Sequence, residues 1–201
     1  MPDKKDVEEA RRRQILDAAE KVFSTRGMEK ARMDDIVQES GLSKGALYWY
    51  FKSKDAIIRA VLDRVFISEM RDAEALIHAQ GSSSERLKTF VAFAVREYKR
   101  FENLLPLAFE FVALAARSKA IREAIVVYFE NYTSILVNII QQGIDRGEFQ
   151  PCDPEATAIS VIAMYEGLAM LWFIEPELVD WDKMGTEPIE IVLAGLKAEV
   201  H

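Results

Sequence analysis

The chain has little of the chemistry that most enzymes use: one cysteine, Cys152, and two histidines, His78 and His201, in 201 residues. A single cysteine excludes an internal disulfide and fits a reducing compartment. The two histidines lie far apart in the sequence, and we find no Ser–His–Asp order, no metal-ligand spacing and no glycine-rich phosphate loop. We therefore expect a protein that is not an enzyme and that has no metal site and no cofactor.

Two further absences narrow the class. Residues 1–14 are rich in charge and no apolar segment follows them, so we expect no signal peptide and a cytoplasmic location. No run alternates apolar and polar residues between turn signals, as a strand would. Helical periodicity dominates instead, and it predicts an all-α fold of about nine helices.

Charge is divided unevenly along the chain, although the total is −7. Residues 1–64 carry a net charge of +2, and residues 65–201 carry −9. An acidic body repels phosphate, so this division leaves the N-terminal part as the end that can approach a nucleic acid.

Local signals set the expected helix boundaries. Serine or aspartate N-caps, prolines at first turns and glycines at helix ends are the markers. The predicted helices are 8–25, 33–40, 43–50, a long helix from 53, a helix capped by Ser82 and Glu85, 106–117, 118–147, 153–175 and 187–199. The long fourth helix is expected to join the two parts of the chain rigidly.

One segment, Ala156–Ile174, is apolar enough to suggest a membrane span. Glu166 lies in its middle, where a carboxylate is costly in lipid, and its flanks are acidic without a lysine or arginine anchor. We therefore predict no membrane partner. A helix that is apolar on nearly all sides needs cover on nearly all sides, which favours a subunit interface.

The segment Ile36–Lys54, IVQESGLSKGALYWYFKSK, is a short helix, a glycine turn and a second short helix. We expect Leu42, Leu47 and Phe51 to face inward. The outer face then presents small residues that allow close approach to a groove and donors suited to base edges or phosphates. The candidate DNA contacts on it are Ser43, Lys44, Gly45, Ala46, Tyr48, Trp49, Tyr50, Lys52 and Lys54. Ordinary core packing is the alternative for the aromatic members, Trp49 above all.

This pattern resembles the TetR family of bacterial repressors over roughly residues 10–65. The resemblance is carried by Phe23, Gly27, Ile36, Gly41, Leu42, Ser43, Gly45, Leu47, Tyr48, Tyr50, Phe51 and Lys54. Two positions depart from the family pattern. Arg32 stands where serine or threonine is frequent and adds a candidate phosphate contact, and Val37 stands where alanine is usual.

The resemblance implies a homodimer on double-stranded DNA. It implies a helix-turn-helix domain over residues 1–52 and a ligand-binding and dimerisation domain over 53–201. Helices 5–7 would surround an effector, helices 8 and 9 would pair with their copies, and effector binding would move helix 4.

Aromatic and acidic side chains on the second-half helices are the candidate effector contacts, for a small and largely apolar molecule. They are Phe66, Met70, Tyr98, Phe101, Phe109, Glu110, Tyr128, Tyr132, Tyr165 and Glu166. Most aromatics at helical spacing are ordinary core. Each buried carboxylate needs a partner, either a cationic ligand or an internal partner such as an arginine, a tyrosine or a water.

The sequence thus predicts a ligand-responsive repressor that binds a palindromic operator as a homodimer and is released by its effector. The alternative is a helix-turn-helix activator, or an architectural DNA-binding protein without a small-molecule ligand. A regulatory interior with a cavity favours the first reading, and a fully packed one favours the architectural protein.

Overall fold

The computed structural model describes residues 4–67, 74–78, 80–100, 102 and 105–197, and its helices confirm the all-α prediction. The helices are α1 Lys4–Arg26, α2 Met33–Ser40, α3 Lys44–Tyr50, α4 Lys54–Ile67, α5 Ser83–Arg100, α6 Leu105–Ala115, α7 Lys119–Asp145, α8 Pro154–Ile174 and α9 Glu187–Leu196. Two 3-10 turns, Leu76–His78 and Pro176–Leu178, and one helical turn, Trp181–Met184, complete them. Across these described ranges the only β-pairing is an isolated bridge between Phe149 and Lys197.

The helix starts follow the capping residues that the sequence offers. The Oγ of Ser82 accepts a hydrogen bond from Glu85 N at 3.2 Å, and the Glu85 carboxylate accepts one from Ser82 N at 2.8 Å. Asp153 accepts from Glu155 N and Ala156 N at the start of α8, with Pro154 in the first turn. These caps satisfy amides that have no partner within the helix, and they confirm the predicted starts of α5 and α8.

The chain divides into two compact units. Unit 1 contains the described residues up to 67 together with 106–126, and unit 2 contains those from 74 to 105 and from 127 to 197. Unit 1 thus joins α1–α4 to α6 and to the first turns of α7. The functional boundary between residues 52 and 53 stays a prediction, because this division follows compactness alone.

Unit 1 has a core of aliphatic and aromatic side chains at helical spacing. The predicted stripe of α1, which includes Ile15 and Phe23, is buried, and α1 packs on α2 and α4. From α4, Ile57, Val61 and Leu62 are buried, while the side chain of Phe66 lies outside the described residues. Burial of these faces holds the short helices α2 and α3, which are too short to be stable alone.

Unit 2 packs α5, the second part of α7, α8 and α9 around a second core. Its buried members include Leu87, Phe90, Leu136, Ile139, Ile140, Phe149, Val161, Trp181 and Leu193. Arg86 is buried too, and its guanidinium donates to Ile77 O, Gln142 Oε1 and Ser83 Oγ, each at 2.8 Å. A buried charge of this kind is tolerated because neighbouring acceptors replace water.

Helix α8 presents two different faces. Ala158, Val161 and Tyr165 point into the unit 2 core, whereas Ile159, Met170, Phe173 and Ile174 are exposed. By length and composition α8 is also the one helix among the described residues that is able to cross a membrane. A single chain therefore buries only one side of this helix.

We expect the turn between α2 and α3 to depend on glycine at position 41 and not at position 45. Gly41 has φ +67°, a left-handed conformation, and a Cβ placed there meets nothing within 4 Å. Gly41→Ala should therefore lower the free energy of unfolding through backbone strain alone, by about 1–2 kcal/mol. Gly45 is also free of neighbours within 4 Å but lies inside α3 without positive φ. Gly45→Ala should raise stability by about 0.5–1 kcal/mol. Urea unfolding of the two variants measures both, and equal effects of the same sign would contradict this account.

Candidate nucleic-acid interface and ligand cluster

The turn between α2 and α3 is built by local rules and anchored by apolar side chains. Gly41 ends α2 in the left-handed conformation, and Ser43 Oγ caps α3 by accepting from Ala46 N at 3.2 Å. Leu47 and Phe51 are buried as predicted, while Leu42 is only partly buried. The result is a helix-turn-helix whose second helix is fixed by its inner face.

The outer face of α3 is open. Lys44, Gly45 and Tyr48 are exposed, and the Trp49 side chain keeps 60% of its surface accessible. The rings of Trp49 and Tyr50 meet edge-to-face with centroids 4.6 Å apart. A surface that combines exposed aromatic and basic side chains is more than scattered exposed apolar residues would give, and its chemistry suits a helix face that enters a groove.

Three predicted cations differ in their availability. Lys44 pairs with Asp34 at 2.7 Å on the surface, and this hydrogen bond raises the pKa of Lys44. Lys52 is exposed and donates to Tyr48 O at 2.9 Å. Arg32 is exposed at the start of α2, where its backbone N–H donates to Asp35 Oδ2 at 2.8 Å. Exposed pairs such as Lys44–Asp34 are weak, so a phosphate or base edge can replace the carboxylate.

Lys54 has a different environment. Its Nζ donates to Met28 O at 2.8 Å and to Glu29 O and Ala31 O at 3.0 Å each. An ammonium has three N–H donors, and these carbonyls use all of them. Lys54 therefore ties the start of α4 to the loop after α1, and its predicted phosphate contact requires the exchange of one of these bonds.

Glu110 contacts the same loop. Its Oε1 accepts from Met28 N at 2.6 Å and from Glu29 N at 3.4 Å, and it would lie 3.2 Å from a Cβ at Gly27. Gly27 has φ +76°, which favours glycine at this point. Glu110 thus has an internal backbone partner within unit 1, which is one of the two alternatives that the sequence left open.

The other candidate effector residues are distributed between the two units. Phe109, in unit 1, is partly buried. Met70, Phe101 and the side chain of Phe66 lie outside the described residues. Tyr165 is buried in unit 2, and its hydroxyl donates to Gly185 O at 3.3 Å. Their contacts with an effector stay predictions.

The four remaining candidate effector residues lie in unit 2, together with two tryptophans that the sequence analysis did not identify. We call this set, Tyr98, Tyr128, Tyr132, Glu166, Trp172 and Trp181, the aromatic–carboxylate cluster. The Tyr98 hydroxyl donates to Glu166 Oε1 at 3.1 Å. Ring centroids are 5.6 Å apart for Tyr98 and Trp181, 4.7 Å for Tyr128 and Tyr132, and 5.7 Å for Trp172 and Trp181.

Burial dominates the protonation chemistry of this cluster. Loss of water raises the pKa of Glu166, and the hydrogen bond from Tyr98 opposes that shift. Burial also raises the pKa of Tyr128 well above its ordinary value, helped by Tyr132, Tyr98 and Glu166. The Tyr128 phenol is therefore neutral at physiological pH, and Glu166 is the one carboxylic acid of the cluster.

We expect loss of the Lys54 ammonium to destabilise the protein. Lys54→Met keeps the aliphatic stem but leaves three backbone carbonyls without their donor, which should lower the free energy of unfolding by about 2 kcal/mol. Lys52→Met is the matched control, because Lys52 is exposed and makes one such bond. Its effect should stay within about 0.5 kcal/mol. Urea unfolding followed by circular dichroism distinguishes them, and equal midpoints would show that Lys54 is not a structural tie.

Comparison with known proteins agrees with this geometry. Residues 15–61 match the family model of bacterial regulatory proteins of the tetR family, and residues 83–186 match the C-terminal model of BetI-type transcriptional repressors. The matches cover both the helix-turn-helix and most of unit 2.

Individual relatives are similar over most of their length. The uncharacterised regulator YfiR of Bacillus subtilis is 30% identical over 155 residues, 76% of this chain and 75% of that protein. TtgR of Pseudomonas putida, a transcriptional regulator, is 26% identical over 184 residues, 88% of this chain and 86% of that protein.

A solved structure shows the same fold. The SmeT–triclosan complex superposes with a TM-score of 0.83 at 24% identity and covers 94% of this chain and 93% of that one. SmeT is the repressor of a multidrug efflux pump of Stenotrophomonas maltophilia. By its family models, its relatives and its helix-turn-helix, this chain belongs to the TetR family of bacterial transcriptional regulators.

Proposed function

We propose that this regulator is an effector-responsive repressor that binds a palindromic operator as a homodimer. The observation that carries the proposal is the exposed face of α3, where Lys44, Tyr48 and Trp49 surround the small Gly45 above the buried Leu47. A helix with small residues at its N-terminal end can approach base edges, while flanking hydroxyls and cations bind phosphates.

The proposed DNA contacts are assigned by chemistry. Lys44 reads a base edge or a phosphate, and Gly45 and Ala46 allow the close approach that this requires. The remaining contacts are to the phosphate backbone or beside it: Arg32, Ser43, Tyr48, Trp49, Tyr50, Lys52 and, after exchange of one of its loop bonds, Lys54. The Ser43 oxygen already caps α3, so its hydroxyl hydrogen is the part available to a phosphate.

Dimer formation is proposed through α8 and α9. Large apolar side chains are exposed along this part of unit 2: Ile159, Met170, Leu171, Phe173, Ile174, Leu178 and Ile191. An exposed apolar surface of this extent favours a protein partner. A second copy of the chain places two helix-turn-helix motifs on one face of the duplex. Half-sites about 34–36 Å apart, one turn of DNA, follow from that symmetry.

The proposed effector response uses the second-half helices. The family model for repressors covers residues 83–186, and SmeT, a repressor of the same fold, has been solved with triclosan bound. Aromatic walls with a few polar groups are the composition of small-molecule sites, which is the composition of the aromatic–carboxylate cluster. To lower operator affinity a hundredfold, an effector must favour the non-binding conformation by about 2.7 kcal/mol of coupling free energy.

We expect Lys44→Ala to lower operator affinity by about 1–3 kcal/mol and to relax the preference at one base position. The operator is first selected from random duplexes with the parent protein, and affinities are then measured by fluorescence anisotropy at several salt concentrations. Lys183→Ala is the control, since Lys183 is exposed on the acidic unit 2 and should not affect binding. If Lys44→Ala keeps the operator affinity and the base preference of the parent protein, the DNA-binding surface lies elsewhere.

We expect Ile191→Asp to convert the dimer into a monomer. Ile191 is 75% exposed on α9, and a carboxylate there would have to be desolvated in the proposed interface. Val7→Asp is the control, because Val7 is 45% exposed on α1 and belongs to unit 1. Sedimentation velocity at low micromolar concentration measures the state. A monomeric parent, or a dimeric Ile191→Asp, would contradict the assignment.

A further inference from the structure

We propose that the aromatic–carboxylate cluster of unit 2 binds an organic cation, a substituted ammonium that carries an apolar or aromatic group. The inference rests on the proposed effector response and names the chemical class of the effector. Its basis is the juxtaposition of one carboxylate, Glu166, with five aromatic side chains from α5, α7, α8 and the turn at 181–184.

The carboxylate is the first argument. Glu166 lies in the middle of α8, is only partly accessible, and accepts a hydrogen bond from Tyr98 at 3.1 Å. Within the part of the chain that the structure describes, no lysine, arginine or histidine forms an ion pair with it. A carboxylate in such surroundings is costly unless a charge compensates it. A cationic ligand supplies that charge, and its attraction to the carboxylate is stronger in a partly buried site than in water.

The rings are the second argument. A cation is attracted to an aromatic face within about 6 Å of its centroid, most strongly to tryptophan. The cluster provides the stacked pair Tyr98–Trp181, the perpendicular pair Trp172–Trp181 and the tilted pair Tyr128–Tyr132. The rings pack against one another within the core of unit 2, so a cation enters the cluster only where it replaces one of these ring contacts. Differently oriented rings around a cation are the arrangement that recognises quaternary ammonium groups.

The indole of Trp181 adds a third observation. Its Nε1 is buried and has no hydrogen-bond acceptor among the described residues. A buried donor without an acceptor is uncommon in a closed core. A hydroxyl, ether or carbonyl oxygen on the ligand would complete this hydrogen bond, so cations with such a group fit the cluster better than simple alkylammonium ions.

The charge of Glu166 disfavours the opposite ligand class. The basic residues at the end of α5 pair with carboxylates, with Lys99 on Asp182 at 3.0 Å and Arg100 near Glu97 at 3.4 Å. An anion at the cluster would meet the Glu166 carboxylate, which forms no ion pair with a described cation. A neutral molecule gains only the apolar contacts of the rings, so the cation is the class that uses every group of the cluster.

The test compares two probes of nearly equal shape that differ in charge, phenyltrimethylammonium and tert-butylbenzene. Binding to the full-length protein is measured by tryptophan fluorescence and by calorimetry. We expect the cation to bind at least tenfold more tightly than its neutral isostere. Glu166→Gln should lower cation affinity at least tenfold and leave the affinity for tert-butylbenzene within twofold. The control Glu130→Gln removes an exposed carboxylate of α7 and should affect neither probe.

Equal affinities of the two probes for the parent protein would overturn the proposal, and so would an unchanged cation affinity in Glu166→Gln. The parent comparison needs no variant, so a folding defect in Glu166→Gln leaves the proposal falsifiable. Operator release is measured with the same probes. If the cation binds through Glu166 but neither probe releases operator, the effector response is wrong and the cation site stands. If tert-butylbenzene releases operator and the cation does not bind, the cation site is wrong and the effector response stands.

Discussion

The loop between α1 and α2 is held by two side chains that come from other helices. The position of the helix-turn-helix, formed by α2 and α3, depends on these two contacts. Lys54, at the start of α4, donates to three loop carbonyls, and Glu110, on α6, accepts from the amide of Met28. Helix α3 lies between α2 and α4 in the chain, so fixing the loop before α2 and the start of α4 fixes both neighbours of α3. The close approach of Glu110 also accounts for Gly27, where a Cβ would crowd the carboxylate oxygen at 3.2 Å.

Under the proposed effector response, the contact between Glu110 and Met28 offers a route to the helix-turn-helix within unit 1. A hydrogen bond to a charged group contributes about 1.5–3 kcal/mol. A hundredfold change in operator affinity needs about 2.7 kcal/mol of coupling. The free energy of one hydrogen bond between Glu110 and Met28 is therefore comparable to the free-energy difference between a DNA-binding and a non-binding conformation of the helix-turn-helix. If an effector displaces α6, the loop amide loses its acceptor without any change in α3 itself.

Sequence reasoning succeeded where the physical cause is local and failed where it is long-range. The capping box of Ser82 and Glu85 and the cap at Asp153 follow from side chains within three residues of the amides they satisfy. The bonds of Lys54 span 23 to 26 residues and that of Glu110 spans 82, so no spacing rule reveals them. The phosphate contact of Lys54 stays a prediction, and only the fold shows that its ammonium also binds three carbonyls of a loop. Trp181 lies in a single helical turn with no periodicity to mark it, although Asp180 caps that turn in an ordinary way.

The sequence of helix α8 is apolar enough for a membrane span and equally fits a helix that packs against protein. Its buried face carries Tyr165 and Ala169, and its exposed face carries Met170 and Ile174, so both faces are apolar for different reasons. Successive residues turn by about 100° around a helix, which puts Glu166 at the edge of the buried face. In lipid a carboxylate at mid-helix would lack compensation. At this edge it has the Tyr98 hydroxyl and remains partly accessible. A helix with these two faces is therefore suited to a protein interior on one side and a protein surface on the other, with its one mid-helix carboxylate between them.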